Sequence, residues 1–82
     1  MQVQAYGLYR LPDGTCLQAV PPRDPSQVIR WELRQPGTGV LAYTIGPHGT
    51  LTGYAIWEQG SGEHTVDAFR TEMTTADLEP VM

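Results

Sequence analysis

Apolar positions recur at every second residue in short runs along this chain, and glycine and proline close each run. That period belongs to half-buried strands, and such breaks belong to tight hairpins. The most compact case is Val40 to Trp57, two apolar runs joined by Gly46-Pro47-His48-Gly49-Thr50. Pro47 sets φ for the first turn position, and Gly49 takes the left-handed conformation that a type I turn with a bulge requires. Gly46 then faces Thr50, and the pairs run Ile45–Leu51, Thr44–Thr52, Tyr43–Gly53, Ala42–Tyr54, Leu41–Ala55 and Val40–Ile56. Several pairs set a large residue beside a small one, and Tyr43 is expected to lie over the bare backbone of Gly53. One face carries Leu41, Tyr43, Ile45, Leu51, Ala55 and Trp57. The other carries Val40, Ala42, Thr44, Thr52, Tyr54 and Ile56. Neither is clearly polar.

Upstream, Gln2 to Leu11 alternates loosely and ends at Pro12-Asp13-Gly14-Thr15, a second hairpin turn. Leu11 then pairs with Thr15, Tyr9 with Leu17 and Gly7 with Ala19. Val3, Ala5, Gly7, Tyr9, Leu11, Leu17 and Ala19 share one face; Tyr6, Leu8, Arg10, Cys16, Gln18 and Val20 share the other. Gly7 inside the first run implies a bend. Pro21-Pro22-Arg23-Asp24-Pro25 lacks three backbone donors and is a connection rather than a central strand.

Val28 to Arg34 alternates most cleanly, with Ile29, Trp31 and Leu33 opposed to Arg30, Glu32 and Arg34. Its junction with the central hairpin, Gln35-Pro36-Gly37-Thr38-Gly39, decides which sheet face is core. A two-residue turn on Pro36-Gly37 pairs Trp31 with Ala42; a bulged turn using Gly39 pairs Trp31 with Ile45. A slip of one residue exchanges the faces. The bulged turn is preferred, because it gathers Ile29, Trp31, Leu33, Leu41, Tyr43, Ile45, Leu51 and Trp57 on one side. Val40, Ala42, Tyr54 and Ile56 are then left on the other, beside Arg30, Glu32 and Arg34. An apolar centre with a charged margin is the composition of an interaction patch.

Gln59-Gly60-Ser61-Gly62 reads as a loop. Glu63 to Met73 fits a strand, with Thr65, Asp67, Phe69, Thr71 and Met73 opposed to His64, Val66 and Ala68. It also fits a helix with Val66, Phe69 and Met73 on one stripe. Its Thr, Val and Phe favour the strand. Thr74 to Glu79 reads as one helical turn, capped by Thr74 or Thr75, anchored by Leu78 and stopped by Pro80. The fold expected is all-β or β-rich α+β in a single domain, residues 1–82. It is a small antiparallel meander that curls into an SH3-like barrel or half-barrel, with a short C-terminal helical turn.

Composition narrows the function classes. Of 82 residues, 40% are hydrophobic and 17% charged, which is globular usage. There is no apolar run near the ~20 residues of a membrane span and no basic-then-apolar leader, so a cytoplasmic protein with no membrane partner is expected. Five arginines and no lysine stand against nine acids, for a net charge of −4. Without clustered positive charge, nucleic-acid binding through Arg30 and Arg34 is disfavoured. The lysine-free usage fits a GC-rich bacterial genome and names no function.

Catalytic and metal signals are weak. A lone Cys16 makes neither a disulfide nor a cysteine-rich zinc site, and the chain suggests no cofactor. His48 falls at a turn tip. His64 neighbours Asp67 only if that segment is helical, so an acid–base pair there depends on the less favoured structure. The reading that remains is a non-catalytic protein-interaction module whose partner is a second copy of the chain or another protein. The alternative is a small-ligand binding domain with an aromatic-lined cleft walled by Trp31 or Trp57; an enzyme stands third.

Overall fold

The computed structural model describes residues 3–22, 31–58 and 64–81. These form one seven-stranded antiparallel sheet: β1 (Leu8–Arg10), β2 (Cys16–Val20), β3 (Trp31–Arg34), β4 (Leu41–Ile45), β5 (Thr50–Glu58), β6 (His64–Thr74) and β7 (Glu79–Val81). The order across the sheet is β6-β5-β4-β3-β2-β1-β7. Six strands make a meander, and β7 adds to the far side of β1. The expected strand at Val28–Arg30, the rest of the proline-rich connection after Pro22, and the loop at 59–62 lie outside the described residues.

The hairpins form as the turn residues dictate. Gly49 has φ +81°, and its N–H bonds the Gly46 carbonyl at 3.0 Å. The Ile45–Leu51, Thr44–Thr52 and Tyr43–Gly53 pairs are present, as is Tyr9–Leu17. At the first turn the Asp13 carboxylate accepts the Thr15 N–H at 2.8 Å. That bond holds the Asp13 carboxyl below the usual carboxylate range.

The junction after Arg34 takes the bulged form. Gly39 has φ +74°, and Trp31 stands opposite Ile45 rather than Ala42. The consequence extends further than the turn. Leu33 pairs with Tyr43 but Arg34 pairs with Leu41, so Ala42 is an extra residue in β4. A bulge bends its strand. Beyond it the expected Ala42–Tyr54, Leu41–Ala55 and Val40–Ile56 pairs are not made, and the β4–β5 ladder stops at Tyr43–Gly53.

The core lies on the side the bulged register selects: Tyr9, Leu11, Leu17, Ala19, Leu33, Ile45, Leu51 and Leu78. Trp31, Tyr43, Ala42, Val3 and Met73 pack at its rim. The opposite side is more polar than the alternation suggests. Cross-strand pairing makes a row of Glu32, Thr44, Thr52 and Arg70 across four strands. Thr44 is buried, and its hydroxyl lies 3.2 Å from that of Tyr54.

The Gln2–Leu11 run is shorter as a strand than its alternation suggests. Tyr6 turns to φ +62°, the Gly7 N–H bonds the Gln4 carbonyl, and the Gln4 N–H bonds the Tyr9 hydroxyl at 2.7 Å. These bonds fold the start of the run back and leave β1 only three residues. At the other end, His64–Thr74 is a strand and the helical alternative is not formed; Glu63 lies outside the described residues. Thr75–Asp77 is a 3-10 turn capped by Thr74, with Leu78 buried behind it. Pro80 does not stop a helix there. It sits opposite Tyr9 in β7, an edge strand, where its missing N–H removes no internal bond.

The 3-10 turn forces the sheet to curl. Thr74 to Glu79 is five residue steps, a reach of at most about 18 Å. Seven strands laid flat would separate β6 from β7 by about 29 Å. Curling brings the ends of the order within that reach, but β6 and β7 do not pair, so the sheet is not closed into a barrel.

Candidate functional interface

Because β4 bends away at Ala42, β5 and β6 continue without it. Tyr54–Glu58 and His64–Ala68 pair only with each other among the described residues. They form a two-stranded ribbon that leaves the sheet. Its cross-strand pairs include Tyr54–Ala68 and Ile56–Val66. Val66 is 53% exposed and Ile56 37% exposed. A free two-stranded ribbon is marginal in water, and this pair adds exposed apolar surface to it.

At the root of the ribbon Phe69 lies over Gly53. A methyl group added at Gly53 would run into the Phe69 ring. The place expected for Tyr43 is thus taken by Phe69, which meets the Tyr43 ring edge-on at 6.5 Å between centroids and 74° between planes. Phe69 remains 46% exposed. On the polar side, Thr50, Leu51, Thr52, Arg70 and Thr71 line a cleft of about 320 Å³. The Thr71 hydroxyl in it already donates to the Leu51 carbonyl at 2.6 Å and accepts the Met73 N–H at 3.2 Å.

The patch expected from the sequence is divided. Tyr54 and Ile56 sit on the ribbon, but Tyr54 is half-buried with its hydroxyl against Thr44 and is not a free anchor. Ala42, the bulge residue, packs against the core. Val40 is exposed at the other hairpin, where its carbonyl accepts the Gln35 N–H. Arg34 donates to Glu32 at 2.8 Å and to the Gly39 carbonyl at 2.6 Å, bracing that turn. Arg30 lies outside the described residues. Val66, Ala68 and Phe69 are the ribbon residues that the patch omitted. Their signal was the Gly53–Phe69 register, which is visible only once the segment is a strand.

The two cleft candidates, Trp31 and Trp57, lie on different strands, β3 and β5. Trp31 packs half-buried at the core rim opposite Ile45. Trp57, opposite Thr65, stands six residues past Leu51, about 20 Å along β5. Cys16 is half-buried with Arg10 as its cross-strand neighbour, and His48 is exposed at its turn tip. His64 opens β6, so the helical neighbourhood with Asp67 does not arise. Among the described residues there is no group of three or more metal-ligating side chains, and no helix is long and apolar enough to cross a membrane. No protein-family model, no curated protein and no solved structure matches the chain.

Proposed function

We propose that this protein is a non-catalytic association module that works through the β5–β6 ribbon, with a second copy or another polypeptide as partner. The observation that carries the reading is the Ile56–Val66 pair, apolar on both strands and exposed beyond the last contact with β4. A partner laid on the ribbon removes that area from water and covers strands that lack a sheet behind them. The curled sheet is read as an open half-barrel that serves as the base of the ribbon.

The test is solution mass by light scattering, with Ile56→Asp and Val66→Asp beside the parent chain. The expected result is an associated parent and monomeric variants that keep the parent far-UV circular dichroism. Association that survives both substitutions, or loss of folding in both, overturns the reading.

A further inference from the structure

The free edge of β6 carries its own complement. Arg70 and Glu72 are both exposed and two residues apart, with Thr71 between them half-buried. Phe69 and Met73 flank Thr71 two residues to either side. If two β6 strands run antiparallel about a two-fold axis at Thr71, Arg70 of each copy meets Glu72 of the other. Phe69 of each then meets Met73 of the other, and Ala68 meets Thr74. Cross-strand opposite charges and a sulfur beside an aromatic ring are both favourable pairs. A two-fold contact requires this reciprocity, in which residue i meets j and j meets i.

The backbone phase agrees. The Gly46 N–H bonds the Thr50 carbonyl, so the main-chain groups of Thr50 and Thr52 face β4. Those of Arg70, opposite Thr52, then face outward, and alternation gives Glu72 the same direction. Three residues, Thr71 to Met73, oppose Leu51 alone, which is a bulge on the inner side. The Thr71 side chain absorbs it by bonding the Leu51 carbonyl and the Met73 N–H. The pairing requires the outer groups of Arg70 and Glu72 to stay in step across this bulge.

We infer that β6 pairs antiparallel with β6 of a second copy, centred on Thr71, and joins two sheets into one. The inference rests on the association reading above for a second copy as partner, and it places the contact on Ala68–Thr74, at the root of the ribbon and beside the Ile56–Val66 pair. Centring on Asp67 or Arg70 sets like charges face to face, whereas centring on Thr71 sets opposite charges together.

The experiment is sedimentation equilibrium from micromolar to millimolar chain, with Arg70→Glu, Glu72→Arg, their equimolar mixture and the double exchange. The parent is expected to dimerise, and each single variant to dissociate with a Kd raised about 30-fold or more. The mixture is expected to regain a heterodimer, and the double exchange a homodimer, because both restore opposite charges in the same register. Far-UV circular dichroism checks that all chains fold. A parent that stays monomeric, single variants that dimerise as the parent does, or a mixture and double exchange that stay dissociated each overturn the inference. The two readings fail separately. Dissociation by Ile56→Asp with no effect of the charge exchanges sinks the β6 pairing and keeps the ribbon as the interface.

Discussion

At one edge of the sheet β7 presents three residues, one of them proline and one glutamate; at the other β6 presents eleven residues without proline, with Asp67, Arg70, Glu72 and the bulge at Thr71–Met73 as its charges and irregularity. The first edge is blunted by the devices that usually keep strands apart. The second is long and carries exposed Val66 and Phe69. The same contrast runs through the packing. Near β7 the strands lie over Leu11, Leu17, Ala19 and Leu78, while at the far end of β6 two strands pair only with each other among the described residues. A chain this small buries only about 60% of the surface its unfolded form exposes. Among the described residues the burial runs from β1 to Leu51 of β5, while Ile56, Val66 and Phe69 stay exposed.

The sharpest way to break this contrast is to truncate one side chain at each end. Leu17 is 0% exposed, and Leu17→Ala should cost about 2–5 kcal/mol. Val66→Ala should stay within about 0.5 kcal/mol in the monomer. Thermal unfolding at low concentration measures both, at about 4–8 °C per kcal/mol for a domain of this size. Equal losses would mean that the ribbon is covered within the monomer, and the two ends would no longer differ.

How far the sequence carries this contrast depends on the element. Turn chemistry is local, so Pro47-His48-Gly49 and Pro12-Asp13-Gly14 disclose both hairpins and the Tyr9–Leu17 and Ile45–Leu51 registers. The bulkier-face argument finds Leu33, Ile45 and Leu51 as core. The bulge at Ala42 is not legible, because nothing in Val40-Leu41-Ala42-Tyr43 marks an extra residue. Yet that residue bends β4 and frees the ribbon. β7 is hidden for a different reason. Glu79-Pro80-Val81 has no alternation to read and becomes a strand only because the 3-10 turn delivers it to β1. The candidate interface was half legible: Tyr54 and Ile56 appear in the pattern, whereas Val66, Ala68 and Phe69 required the β5–β6 register.

A smaller effect tests the root of the ribbon, where the two regions meet. Gly53→Ala puts a methyl group into the Phe69 ring and should destabilise by about 1–3 kcal/mol. In a Phe69→Ala background the same change should cost less than about 1 kcal/mol, since the obstacle is gone. Denaturant melts of the four chains measure the coupling. Additive losses would show that the glycine serves the backbone and not the ring, and the ribbon would owe nothing to Phe69.

The smallest effect concerns what holds β7 at its edge. Three residues with a proline are too few to hold a strand by pairing alone, so the turn before them must aim it. The Asp77 carboxylate accepts the Thr74 N–H at 2.8 Å, and the Thr74 hydroxyl accepts the Ala76 N–H at 3.2 Å, a reciprocal cap on an exposed turn. Asp77→Ala removes half of it and should cost about 0.5–1 kcal/mol. The loss should be local: amide exchange should quicken in Glu79–Val81 and in the β1 residues opposite them, Leu8–Arg10, while β2 and β3 keep their protection. If exchange rises evenly across the sheet, the turn supports the whole fold. If β7 is unaffected, Leu78 alone secures that edge, and its blunting belongs to the core rather than to the cap.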